Sequence, residues 1–179
     1  NALRALYSSE DIHAVVQALT FLDANEQLLP HKKILADGLL SFDKKEELIP
    51  LLWKKLSEFH PRMQVTLLDY IRYASSNWKD EMLSMLETSQ DMEIQITCVR
   101  YFGRYQDERS VSFLLHHAEE EKEGFWELQN ACVSALAMYP GPQTLEILKK
   151  ETSSKNWYVR YNAAKSLAVL NTDRDALAD

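Results

Sequence analysis

At 179 residues and 46% hydrophobic content, the chain holds enough apolar material for a packed core and too much for a disordered segment. Twenty Lys and Arg against 27 Asp and Glu give a net charge of −7, which disfavours a nucleic-acid or anionic-membrane surface. Four Gly and five Pro suit helices and count against an all-β chain, and no run approaches the roughly 18 apolar residues of a membrane span.

The chain in order reads as ten helices. Asn1-Ala2 resembles the remnant of a cleaved tag. Ser8-Ser9-Glu10-Asp11 caps a first helix to about Gln27, with Ile12, Val15, Val16, Leu19 and Leu22 as its apolar stripe. Pro30 breaks it, and a second helix follows to Phe42. Lys44–Glu47 opens a third, striped by Leu48, Leu51, Leu52, Leu56 and Phe59. His60-Pro61 turns into a helix from about Arg62 to Ala74. A short helix with Met82, Leu83, Met85 and Leu86 precedes one that ends near Tyr105. Asp107–Lys122 and Phe125–Tyr139 are divided by Gly124. Pro140-Gly141-Pro142 is the strongest turn and opens Gln143–Thr152. The last helix ends at Leu170, and Asn171–Asp179 reads as a turn and the start of a further, truncated repeat.

One pattern recurs in alternate helices. The twelve-residue stretches starting at His31, Met63, Ile94, Leu128 and Val159 all place apolar or small residues at their first, fifth, eighth, ninth and twelfth positions. The starts are 32, 31, 34 and 31 residues apart, a period that marks stacked repeats. The units are approximately 9–42, 45–74, 78–105, 107–139 and 142–170, five antiparallel pairs in a single domain. Small residues at the fourth place (Thr97, Ala131, Asn162) and the eighth (Gly38, Ala135, Ser166) allow close approach between pairs. Trp126 and Trp157, each two residues before a repeat start, suggest a shared packing role near the inter-helix turn. Cys98 and Cys132 fall at the fifth place. Axes about 8–10 Å apart are too distant for a disulfide, so both read as buried free thiols, which leans towards a reducing, cytoplasmic setting.

The final unit, Asn156-x-x-Val159-Arg160-x-x-Ala163-Ala164-x-x-Leu167, strongly resembles the second helix of a HEAT repeat, and Pro142–Thr152 looks like its first. The units at Ile94 and Leu128 carry the resemblance well. It weakens towards the N-terminus, where His31-Lys32-Lys33 stands in place of Val-Arg. The second place, Arg in the family, is Gln64, Gln95 and Gln129, so the family's Arg–Asp contact between repeats lacks its Arg there. The Trp/Leu-Gly/Tyr pattern of tetratricopeptide repeats and the Thr-Pro-Leu-His motif of ankyrin repeats are absent. The resemblance implies an all-α, right-handed α-α superhelix of HEAT/armadillo type, whose second helices line a concave, usually protein-binding, surface.

On a single helix, the third, seventh and tenth places point away from the core. Across the repeats they read Lys33, Val65, Ile96, Asn130, Tyr161, then Asp37, Asp69, Arg100, Ser134, Lys165, then Leu40, Arg72, Gly103, Ala137, Ala168. Tyr73 and Arg104 flank them at the eleventh. Val65, Ile96, Tyr161, Asp69, Arg100, Lys165, Arg72, Arg104 and Tyr73 are the expected partner-binding residues, apolar anchors beside charges that pass from acidic to basic. The expected partner is another protein or a peptide segment.

No catalytic, cofactor-binding or metal-binding residues are assigned. His116 and His117 have Glu120 and Glu121 four residues on, but two ligands per face are too few for a closed zinc site. His13, His31 and His60 lie scattered near helix starts. An interaction scaffold is therefore the leading function. The alternatives are a nucleic-acid binder like the HEAT-like DNA glycosylases, using Arg72, Arg100, Arg104, Arg160 and Lys165, a pigment lyase of the HEAT-like kind, or the soluble part of a membrane-anchored assembly.

Overall fold

The computed structural model of the chain describes residues 11–28, 32–119 and 124–176. Among them are ten α-helices: α1 (Ile12–Ala24), α2 (Lys32–Leu40), α3 (Lys45–Lys55), α4 (Pro61–Ala74), α5 (Lys79–Thr88), α6 (Met92–Phe102), α7 (Val111–Ala118), α8 (Trp126–Ala135), α9 (Pro142–Glu151) and α10 (Trp157–Ala176). The protein is all-α, as the sequence pattern predicts. Asn1-Ala2, Ser8–Glu10, Glu120–Glu121 and the end of the expected Asp107–Lys122 helix lie outside the described residues. The turn expected after Leu170 does not form: α10 continues through Asn171 to Ala176.

The helix boundaries follow from local chemistry. The Asp11 carboxylate accepts from Ala14 N at 3.1 Å, and Asp91 accepts from Glu93 N and Ile94 N at 2.8 and 3.2 Å. Each satisfies amide groups that a helix start leaves without partners. Pro61 and Pro142 occupy first turns, where the missing N–H costs nothing. Gly124, at φ 87°, takes the left-handed conformation that opens the way into α8.

The chain divides into two compact units, residues 1–77 and 78–179. In the N-terminal unit α1 packs on α3, while α4 packs on both α2 and α3. In the C-terminal unit α5 pairs with α6, α7 with α8, and α9 with α10. There α8 also touches α6 and α10, and α7 touches α9, so neighbouring pairs contact like with like. This neighbour-to-neighbour packing is consistent with a helical repeat-like arrangement of period 31 to 34 residues.

Packing within the C-terminal unit uses the small residues at the repeat positions. A Cβ on Gly103 would meet Cα and Cβ of Ala135 at 3.2 Å, so α6 and α8 approach closely there. Ser166 Oγ donates to Val133 O at 3.0 Å, and Asn162 Nδ2 donates to Asn130 Oδ1 at 2.7 Å, both from α10 to α8. Tyr139 links three segments. Its hydroxyl donates to Phe102 O at 2.9 Å, accepts from Asp107 N at 3.1 Å and lies 3.1 Å from Ser110 Oγ. Cys98 and Cys132 are free, buried thiols. Burial pushes Cys98 up to about 12 and raises Cys132 as well, so both stay protonated in the folded chain.

The second repeat position has a role that its residue identity did not announce. Gln64 Nε2 donates to Phe59 O at 2.7 Å, Gln95 Nε2 to Ser89 O at 3.0 Å and Gln129 Nε2 to Ala118 O at 3.1 Å. Arg160 Nη1 donates to Ser154 O at 2.7 Å. In each case a long polar side chain near the start of the second helix caps a carbonyl at the end of the first. Helix C-termini leave such carbonyls without partners. A Gln or an Arg supplies the N–H equally well, which is why the departure from Arg leaves the hairpin intact.

Candidate interaction face

The expected partner-binding residues divide between the two units. In the N-terminal unit, Val65 is 5% exposed and is not a surface anchor. The reason is the width of the buried arc on α4. Val65, Thr66, Leu67 and Leu68 are all buried, and four consecutive residues at 100° apart sweep most of the helix circumference. A helix packed along two sides has no third place facing water. Asp69 and Arg72 form a pair one turn apart, Oδ1 lying 2.9 Å from Nε and 2.7 Å from Nη2. The Arg72 guanidinium sits 4.0 Å above the ring of Tyr73, which is itself exposed. These three residues are engaged with one another.

In the C-terminal unit Ile96 is also buried, at 8% exposure, for the same reason: Ile96, Thr97, Cys98 and Val99 are covered in succession. The third place faces the neighbouring inner helix as well as solvent, as the bond between Asn130 (third place, α8) and Asn162 (fourth place, α10) demonstrates. Arg100, Arg104, Tyr161 and Lys165 are exposed. Arg104 Nε donates to the Tyr105 hydroxyl at 3.1 Å.

Helix α10 differs from α6 in how much of it is covered. Over residues 157–171 its buried residues Val159, Ala163, Ser166 and Leu170 fall at steps of four, three and four, a single narrow stripe. The stripe leaves an aromatic cluster at the start of the helix in contact with water. Trp126 and Tyr158 stack with centroids 5.4 Å apart and planes at 19°. Trp157 lies 4.0 Å from Tyr158 and 6.4 Å from Tyr161, the latter edge-on. Trp126 is 36% exposed, Trp157 55%, Tyr158 45% and Tyr161 60%. The packing role expected of Trp126 and Trp157 is therefore a surface one: they stack on tyrosines rather than enter the core. Tyr158 was not singled out by the repeat pattern. The signal for it was the run Trp157-Tyr158 followed by Tyr161, three large aromatics within five residues.

Lys165 lies one turn beyond Tyr161 on the same side of α10, since residues four apart are helix neighbours. Arg100 holds the same repeat position on α6, with Ser134 between them on α8. Exposed aromatics thus stand at the starts of α8 and α10, and exposed basic residues further along α6 and α10.

Among the described residues no group of three or more His, Cys, Asp or Glu could hold a metal ion. Neither is any described helix long and apolar enough to cross a membrane. Two shallow clefts of about 290 and 370 Å³ lie at the outer helices α7 and α9, sharing Leu115 and Gln143. His116, Glu119 and Glu146 line the smaller, and Glu119 is already held by Lys150 at 3.3 Å. No family model, no curated protein and no solved structure matches the chain.

Proposed function

We propose that the chain is a HEAT-like helical-repeat module, a non-catalytic scaffold that binds a partner protein through the exposed face of its second helices. The observation that carries this reading is the solvent-facing cluster of Trp126, Trp157, Tyr158 and Tyr161. Large aromatics held rigidly against one another bind at low entropic cost, and Trp and Tyr dominate the energetics of protein interfaces. The solenoid geometry implied by the HEAT resemblance would extend such a face along successive repeats. The buried thiols and the Gln and Arg caps have structural duties that need no catalytic explanation.

The test is affinity capture from the native host with the tagged protein and a Trp157→Glu/Tyr161→Glu double variant. Both positions are exposed, so the variant is expected to melt with the native protein. Ile96 and Val65 would be poor probes, because a carboxylate there would be buried and unfold the helix pair. The expected result is a protein partner retained by the native chain and lost, or weakened at least about tenfold, by the variant. Retention of every partner by the variant would move binding off this face.

A further inference from the structure

The second helices of the C-terminal unit carry an unusual charge pattern. Their three repeat stretches, residues 94–105, 128–139 and 159–170, contain Arg100, Arg104, Arg160 and Lys165 and no Asp or Glu at all. A chain with 27 acidic residues in 179 would place about five in 36 positions taken at random. The equivalent N-terminal stretches contain Asp37 and Asp69 at the very place that Arg100 and Lys165 occupy. Asp69 is paired with Arg72 there, whereas Arg100 and Lys165 are both exposed, on repeat stretches that contain no Asp or Glu. A local cationic face on a chain of net charge −7 attracts acidic segments and repels basic ones.

Resting on the interaction reading above, we infer that the occupant of this face is an acidic peptide segment bearing an apolar or aromatic anchor. The anchor packs on the Trp157–Tyr161 end, and its carboxylates meet Lys165 and Arg100. On α10, Trp157 and Lys165 are eight residues and so about 12 Å apart along the axis, which sets the distance between anchor and acid in the partner. That span corresponds to two turns of a helix or about four residues of extended chain. Arg100 lies two inner helices away from Lys165, roughly 20 Å at ordinary helix spacing, so an acidic segment crossing α8 reaches both. Glu93 and Glu127, exposed at the starts of α6 and α8, direct the acidic part of the partner away from the helix starts and towards Arg100 and Lys165.

The experiment uses the full 179-residue chain and fluorescein-labelled peptides read by polarisation. The first probe combines Leu and Phe with Asp and Glu. The second replaces the acids with Lys and Arg, and the third keeps the acids but replaces Leu and Phe with Ser. The first is expected to bind at least about tenfold more tightly than either of the others and to weaken as salt rises. Arg100→Glu and Lys165→Glu should each weaken it several-fold, while Lys149→Glu, an equal change of net charge on exposed α9, should leave it unchanged. Circular dichroism melts establish that the variants are folded.

Equal binding of the basic probe overturns the inference, as does indifference to Arg100→Glu and Lys165→Glu. Tighter binding of a single-stranded oligonucleotide, or self-association of the chain abolished by Tyr161→Glu, overturns it too. If the partner captured from the host is lost on Trp157→Glu/Tyr161→Glu but kept by both charge reversals, the acidic character of the partner is refuted and the scaffold reading stands. If capture is indifferent to all of them, the scaffold reading on this face fails as well.

Discussion

In the C-terminal unit the hydroxyls of Tyr101 and Tyr139 hold backbone amides of a neighbouring loop, from Trp78 and Asp107 respectively, each at 3.1 Å. In the N-terminal unit Tyr70 occupies the repeat position of Tyr101, but its hydroxyl is buried with no hydrogen-bond partner among the described residues. The charges differ in the same sense. Asp69 and Arg72 neutralise each other on α4, whereas Arg100 and Lys165 stand exposed on α6 and α10. One repeat template thus carries two kinds of unit. In one, the polar positions are spent internally or left unsatisfied. In the other they tie helix pairs together and leave cationic and aromatic groups exposed.

The largest expected effect is at alkaline pH, and it should separate the units. Both cysteines lie in the C-terminal unit, and burial moves Cys98 from an ordinary 9.0 to about 12 and Tyr101 from 10.0 to about 12. Below pH 9 the Cys98 thiol is protonated in folded and unfolded chains alike, and its contribution to stability is complete. Between pH 9 and 12 the unfolded chain sheds that proton while the folded one keeps it, so stability falls as pH rises. The N-terminal unit has no cysteine, and its Tyr70 is likewise raised by burial from 10.0, so its loss should begin about one pH unit later. Thiol labelling reports the first transition and Trp53, the one tryptophan of residues 1–77, the second when Trp78, Trp126 and Trp157 are replaced by Phe. Simultaneous transitions would erase the contrast.

A middle-sized effect is expected at the second repeat position. Gln129 Nε2 is buried between Ala118 O and the Glu151 carboxylate, the latter at 3.0 Å, and Glu151 is 1% exposed. Removing two buried hydrogen bonds, to Ala118 O and to the Glu151 side chain, should make Gln129→Ala cost about 2–3 kcal/mol. Gln64→Ala removes one neutral bond from a half-buried site and should cost about 1 kcal/mol. Denaturant titrations of the two variants measure both. Equal costs would mean that the carboxylate is satisfied without Gln129.

The smallest effects come from the tyrosines and give the sharpest contrast of sign. Tyr139→Phe strands Asp107 N and Phe102 O and should cost about 1–2 kcal/mol. Tyr70→Phe deletes a hydroxyl that makes no bond, so stability should be unchanged or slightly raised. A destabilised Tyr70→Phe variant, measured by thermal and denaturant melts, would show that its hydroxyl is paired in solution.

The helices were legible because their signals are local. Asp91 before Met92, Pro61 and Pro142 at first turns, and apolar residues at steps of three and four each fix a boundary or a face without reference to the rest of the chain. The expected interaction face was read less well. Helix geometry places the third repeat position opposite the core, and that holds for Tyr161 on α10. It fails for Val65 and Ile96, where packing along two sides buries nearly the whole circumference. The aromatic cluster is half visible in the sequence: Trp126 and Trp157 share a spacing, but the stacking of Trp126 on Tyr158 joins residues 32 positions apart.

The sequence by itself determined the ten helices and the buried thiols, because backbone capping and apolar periodicity act within a few turns of chain. Only the tertiary structure decided which places of the repeat meet water. That choice depends on how many neighbours each helix has, a property of the packing rather than of any one helix. It decided as well that Gln64, Gln95, Gln129 and Arg160 share one duty, since the carbonyl each one caps belongs to the end of a different helix.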